Sequence, residues 1–251
     1  MALDLWALAN TLRECRFIDL THAFDESIPH SAFFEPEHRT VLYDHAPRKG
    51  ISGQGFLAHR YSFVGQWGTH VDPGAHFIAG KRYLDEIPVT EMVLPLAVVD
   101  IRDQVMRNPD YCLSMEDVWD WEARHGTIPA GAFVAKCSGW SSRWPDKARM
   151  MNCDAQGVAH FPGWTLDALR FIFEERGAIA CGHETLDTDG GVAISRGEGS
   201  LERYVLAQDR WQIEMMANLG ELPEAGALII ATWPKPKRGS GFPARVFAIV
   251  P

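Results

Sequence analysis

Three side chains in the segment GQWGTHVDPGAHF (65–77) are of the types and at the spacing that metal chemistry needs: His70, Asp72 and His76, two and four residues apart. Side chains two apart on an extended segment project to the same side, so His70 and Asp72 can offer a nitrogen and an oxygen from one strand. Gln66 shares that parity while the chain stays extended, although Gly68 permits a bend that would redirect it. Imidazole with carboxylate suits zinc, manganese or iron, and an amide oxygen shifts the balance towards the harder ions. Pro73 and Gly74 then turn the chain, so His76 could face a metal without binding it. A neutral imidazole there is a reasonable general base, because its ordinary pKa lies near operating pH. Thr69 is placed to brace a ligand. The chain has ten histidines, and histidines beside turns often only cap backbone groups. The weight therefore rests on the whole constellation and not on His-x-Asp alone.

The elements that must position these groups can be read from periodicity and end signals. FIDLTH (17–22) is β-like, YSFVGQ (61–66) alternates, and LPLAVVDI (94–101) reads as a buried strand entered after Pro95. SMEDVWDWEARHG (114–126) has a Ser N-cap, an acidic first turn and a closing Gly. TLDALRFIFEERG (165–177) has Thr165 as cap, Leu166, Leu169, Ile172 and Phe173 on one face, and Gly177 as stop. Both predict helices. AFVAKCSG (132–139), AIACG (178–182), ALIIATW (227–233) and ARVFAIV (244–250) predict further strands. Helices alternating with strands in the middle indicate α/β, and hairpin-like spacing towards both ends indicates mixed pairing. No Pro/Gly/Ser linker or internal repeat divides the chain, so one domain is expected over residues 1–251.

Composition limits the partners. Apolar residues make up 46% and charged residues 23%, as in an ordinary folded domain and unlike a disordered chain. A net charge of −9 argues against nucleic acid or an anionic membrane, which require clustered Lys and Arg. The run KPKRG (235–239) is read as a solvated loop. Cys15, Cys112, Cys137, Cys153 and Cys181 are odd in number and form no CxxC pair, a pattern of reduced thiols that predicts a cytoplasmic protein. The N-terminal MALDLWALANTLREC reads as an amphipathic helix, because Asp4 stands where a secretory signal wants positive charge. No apolar run approaches the roughly 20 residues of a membrane span.

GQWGTHVDPGAHF resembles the HxGTHxDxPxH signature of the cyclase-type metal-dependent hydrolases, a family that includes kynurenine formamidases and isatin hydrolases. FIDLTHAFDESIP resembles the family's first strand and substrate loop, and FVAKCSGW its strand ending in Gly-Trp. HFPGWTLDALRFIFEERGAIACGHETLDTD resembles its PG-helix-strand segment, and FPARVFAIV its closing strand. The resemblance thus spans nearly the whole chain. It implies a swivelling β/β/α fold with a central mixed, barrel-like sheet flanked by helices, assembled as a homodimer or larger oligomer. It also implies metal ligation at Gln66, His70 and Asp72, with His76 as general acid/base. Gln66 replaces the signature's first His and Gly74 its Pro, with Pro73 one residue earlier. The Gln resembles the isatin-hydrolase branch and favours Mn2+ over Zn2+. In the formamidase branch a second zinc is held by a Glu directly before Asn-Leu and by a His twelve residues earlier. At Asn218-Leu219 those positions read as Ala217 and Val205, so one divalent ion per chain is expected. Gln212 and Glu214 either reach the pocket or occupy strand-end surface positions.

The mechanism implied is hydrolysis of a small-molecule amide, cyclic and aromatic as in isatin, by activated water with His76 moving the proton. Phe33, Phe34 and Trp67 could stack on a planar substrate. Trp67, opposite in parity to Gln66, fits the core equally well. Glu184 is expected to brace the site or the backbone and not to touch substrate. Ser138 and Ser141 lack the GxSxG surroundings of a nucleophile. An arylformamidase acting on N-formylkynurenine and a non-catalytic binding protein are the two alternatives.

Overall fold

The structure, a computed structural model, describes residues 4–47 and 50–251. The chain opens with α1 (Leu5–Glu14) and β1 (Arg16–Asp19), then forms β2 (His38–Asp44), β3 (Ser52–Gly53) and β4 (Ala58–Ser62). Next come β5 (His70–Asp72), β6 (Val93–Asp100), α2 (Arg102–Arg107), α3 (Met115–His125) and β7 (Phe133–Cys137). They are followed by α4 (Lys147–Met151), α5 (Leu166–Arg170), β8 (Ala180–His183), α6 (Gly191–Ser195), α7 (Leu201–Ala207) and β9 (Trp211–Glu214). β10 (Ala227–Thr232), β11 (Phe242–Pro243) and β12 (Arg245–Val250) close the chain.

Nine strands form one sheet in the order β1-β12-β10-β6-β7-β8-β9-β5-β11, and β3-β2-β4 form a second, smaller sheet. β6, β7, β8 and β9 run parallel, because each connection between them carries a helix, while every other pair in the large sheet is antiparallel. Residues from β1 at one edge and β5 towards the other, Ile18 and Val71 among them, belong to one buried cluster with Val98, Phe133 and Ile213. Strands so far apart in the order can share a core only if the sheet curls, so the mixed sheet is a half-barrel. On the other face Val99, Val134 and Cys181 pack under Val118 and Trp121 of α3 and Leu169 of α5. This is the α/β architecture expected, a mixed barrel-like sheet flanked by helices.

The end signals act as predicted. Ser114 accepts from the Asp117 amide while Asp117 reaches back to Ser114, and Gly126 takes φ +84°. Thr165 accepts from the Ala168 amide. Beyond Arg170 the helix widens into a π-helical turn over Phe171–Glu175, and three successive bulky residues, Phe171, Ile172 and Phe173, are all buried. Three expectations need correction. β4 ends at Ser62, because Gly65 packs directly on the Gly241 backbone and Gly68 takes φ +64°, geometry that no continuing strand allows. Pro95 lies inside β6, tolerated because pairing with β7 starts only at Leu96. The N-terminal helix begins at Leu5, capped by the Asp4 carboxylate on the Trp6 and Ala7 amides, and buries no side chain; residues 1–3 of the predicted helix lie outside the described residues.

Candidate active site and metal centre

The floor of the site is made by two short strands. β5 and β9 pair antiparallel with His70 opposite Glu214 and Asp72 opposite Gln212. Because side chains alternate, these four polar groups share one face, while Val71 and Ile213 point into the half-barrel core. The local sequence fixes each group. Gly68 adopts a conformation open to glycine, and its carbonyl lies 2.8 Å from His70 Nδ1. That contact places the Nδ1 proton and leaves Nε2 as the ligand atom. Thr69 Oγ1 donates to the Met215 carbonyl at 2.6 Å, tying the two strands together. A Cβ on Gly74 would meet Lys81, Asp209 and the Leu206 carbonyl at 2.8–3.0 Å, so only glycine lets the turn after β5 pass beneath α7.

His70 Nε2 lies 3.2 Å from Asp72 Oδ2 and 3.7 Å from Glu214 Oε2. All three residues are buried, and beyond His70 no described residue gives Asp72 Oδ2 a hydrogen bond. A lone pair and two carboxylate oxygens converging in a dry place call for positive charge between them. Their protonation tendencies agree. Burial alone would depress the basicity of His70, but Asp72 beside it raises it above the usual value. Burial likewise pushes Asp72 up, yet His70, then His76 and Gln66, bring it below the usual carboxylate range. Oxygen-rich ligation with one imidazole suits a divalent cation, so the residues present fit a metal. A second group, Asp72, His76 and Glu202, shares Asp72 and is likewise spaced to hold an ion.

Gln66 is turned by hydrogen bonds from its Nε2 to Asp72 Oδ1 at 3.2 Å and to the Ser240 carbonyl at 2.9 Å. Its amide therefore stands beside Asp72, with the carbonyl oxygen receiving no bond from the described residues. His76 sits on the turn after β5, with Nε2 3.9 Å from Glu202 Oε1. Burial, outweighing the pull of Asp72, lowers its pKa and keeps the imidazole neutral. Burial, reinforced by the neighbouring carboxylates, pushes Glu202 and Glu214 well above their usual values.

These groups open into a cavity of about 440 Å³. Gln66, His70, Asp72, His76, Glu202 and Glu214 form its polar end, and Phe34, Phe77, Leu186, Ile194 and Met215 line the apolar part. Phe33 is 95% exposed and stands at the mouth. Trp67, expected as a possible substrate wall, does not line the cavity: it is fully buried against His30, as its parity allowed. Glu184 braces the Gly139-Trp140 turn, accepting from the Ser138 and Trp140 amides and the Ser138 and Ser141 hydroxyls.

Sequence reading missed Glu202 and Asp187, both of which line the cavity. It took Val205 and Ala217 as the positions of a second metal's ligands, and both are buried away from the cavity. The acidic pair that does face the site, Glu202 and Glu214, has the same twelve-residue spacing three positions earlier. That spacing was a usable signal, obscured by counting back from Asn218-Leu219. Glu202 owes its place to Asp189, a buried carboxylate that accepts from the Ser200, Leu201 and Glu202 amides at the start of α7.

A half-barrel with a His-Asp-Glu group and an adjacent histidine, spaced as metal ligands are, can be set beside known proteins. The family model described as putative cyclase matches residues 18–190, and the chain belongs to this cyclase family. It is 33% identical over 202 residues to isatin hydrolase from Roseibium aggregatum, covering 78% of this chain and 76% of that protein. Isatin hydrolase A from Ralstonia solanacearum superposes with a TM-score of 0.90 at 32% identity, covering all of this chain and 98% of that one. An isatin hydrolase bound to the product analogue thioisatinate gives a TM-score of 0.88 at 27% identity, with 98% and 97% covered.

Proposed function

We propose that the chain, as one cyclase-like domain over residues 1–251, is a metal-dependent amidohydrolase that opens a cyclic aromatic amide such as isatin. The observation that carries this reading is the convergence of His70 Nε2, Asp72 Oδ2 and Glu214 Oε2 beside a neutral His76, at the polar end of a cavity whose volume of about 440 Å³ has room for a bicyclic ring. The likeness to isatin hydrolases supports the substrate class.

His70 and Asp72, joined by Glu214 and the amide of Gln66, would hold one divalent ion. When bound, the ion supplies Lewis acidity, polarising the substrate carbonyl and lowering the pKa of water. Three oxygen donors to one nitrogen favour Mn2+ over Zn2+. His76 accepts a proton from the attacking water as its oxygen bonds to the amide carbon. It then returns that proton to the nitrogen as the C–N bond breaks. The new carboxylic acid ionises, so each turnover releases one proton and leaves a carboxylate and an aryl amine. Phe34, Phe77 and Leu186 offer the substrate ring an apolar wall, and Phe33 stands at the mouth.

Among the described residues that line the cavity there is no Lys or Arg. N-formylkynurenine carries an α-carboxylate for which the described lining residues offer no Lys or Arg partner, so no feature of the cavity wall favours the arylformamidase reading over the cyclic-amide one. A second copy of the chain fits α1, whose Leu5, Trp6 and Leu8 are exposed on a ten-residue helix too short to be stable alone. A homodimer or larger oligomer is the proposed assembly. Cytoplasmic location is proposed from the free cysteines; no helix among the described residues is long and apolar enough to cross a membrane.

The test is a hydrolysis panel of isatin, N-formylkynurenine and simple cyclic imides, with Mn2+ and Zn2+ supplied in turn and proton release as readout. Isatin turnover with Mn2+ is expected, and absence of turnover on every cyclic amide would refute the reading. Elemental analysis of protein purified without chelator is expected to give about one divalent ion per chain.

A further inference from the structure

Gln212 is completely buried in β9, between Trp211 and Ile213, and carries no charge. Its amide nitrogen donates to two carboxylates at once, Glu202 Oε1 at 3.2 Å and Glu214 Oε1 at 3.0 Å. Its amide oxygen accepts from the Thr188 hydroxyl at 2.7 Å. Turned over, the amide would set its oxygen against the two glutamate oxygens and lose the bond from the Thr188 hydroxyl, so the three contacts together favour the orientation with NH2 towards Glu202 and Glu214.

The bonds sort the oxygens of both glutamates. Glu214 gives Oε1 to Gln212, with His183 Nε2 also 3.4 Å away, and keeps Oε2 turned to His70. Glu202 is held with Oε1 within 3.9 Å of His76 Nε2. One neutral amide thus ties the ligand side of the site to the acid/base side, without lining the cavity itself.

We propose that Gln212, oriented by Thr188, is a positioning residue that holds Glu214 for metal binding and Glu202 against His76. This rests on the metal-hydrolase reading above, and the metal-binding arm of its test needs no substrate. Hydrogen-bonded partners of ligands commonly govern metal affinity by about 10–100-fold. Gln212→Leu keeps the volume and removes both donors. Thr188→Val keeps the volume and frees the amide to turn, and Thr188→Ser retains the hydroxyl.

Mn2+ affinity measured by competition with a chromophoric chelator is expected to fall at least about tenfold in Gln212→Leu and a few-fold in Thr188→Val, with most of the latter loss recovered in Thr188→Ser. With metal saturating, kcat on isatin is expected to fall about tenfold or more in Gln212→Leu while KM changes little, because no group touching the ring has been removed. Circular dichroism establishes that each variant is folded, and Thr188→Val carries the test if Gln212→Leu does not fold. Wild-type Mn2+ affinity in folded Gln212→Leu, or in Thr188→Val if the former is unfolded, overturns the proposal. So does equal loss in Thr188→Val and Thr188→Ser. Failure of every substrate with the metal arm as expected refutes the proposed reaction and leaves the positioning role standing.

Discussion

At the β5–β9 floor the interior carries His70, Asp72, Gln212 and Glu214 in a buried row, whereas at α1 the exterior carries Leu5, Trp6 and Leu8, exposed among the described residues. The first region buries charge and the second exposes apolar surface, each the reverse of what a solitary chain prefers. An unpaired buried carboxylate costs several kcal/mol, and a ten-residue helix without packing is marginal. Both regions become favourable when something outside the chain is added. A cation satisfies the first and an apolar surface satisfies the second. The difference also predicts independence: damage at the floor should spare assembly, and damage at α1 should spare metal binding.

The largest effect tests the floor. His70→Ala and Asp72→Ala are expected to lose the metal and hydrolysis together, with affinity reduced by more than about a hundredfold, while the elution volume stays that of the wild type. Retention of a full complement of metal in either variant would remove His70 or Asp72 from the ligand set. His76→Ala comes next. It should keep the metal and lose about 10²–10⁴-fold in kcat, the usual range for a general base. Because burial lowers the His76 pKa, the base stays unprotonated until pH falls below the ordinary histidine value of 6.5. The acidic limb of kcat/KM should therefore lie below that pH, and a limb above it would be inconsistent with His76 as the base.

The second region gives a smaller and separable effect. Replacing Trp6 and Leu8 together by Asp places charge on the exposed face of α1 without removing any buried contact. Light scattering should show a smaller assembly, with metal content unchanged. An unchanged molar mass would mean that α1 does not carry the contact between copies.

What the sequence made legible follows from range. His70, Asp72 and His76 fall within seven residues, so parity and one turn suffice to bring them together. The caps at Ser114 and Thr165 are equally local, and their helices start where those residues predict. Glu214 needed the pairing of β5 with β9, a contact across more than 140 residues that no local period encodes, and Glu202 needed the anchoring of α7 on Asp189. Trp67 shows a different limit. Its parity admitted both core and cavity, and only the packing of His30 decides between them.

The smallest effect separates a neutral, half-buried imidazole from the charged floor beside it. His22 stacks on Trp144 with ring centroids 4.3 Å apart, and its backbone amide donates to Thr69 Oγ1, the hydroxyl that joins β5 to Met215. Burial, only partly offset by a backbone hydrogen bond with Met216 and by Asp19, lowers its pKa to about 4. The unfolded chain therefore binds more protons at this residue between about pH 4 and pH 6.5, so stability rises with pH across that window and is lost as pH falls through it. His22→Phe preserves the stack and removes the titration. The drop in melting temperature from pH 7 to pH 5 should be smaller in His22→Phe than in the wild type. It should not vanish, because His183 is also held neutral by burial. Equal drops in the two proteins would assign the whole pH dependence to the floor, and would mean that the strand junction under Thr69 is insensitive to charge.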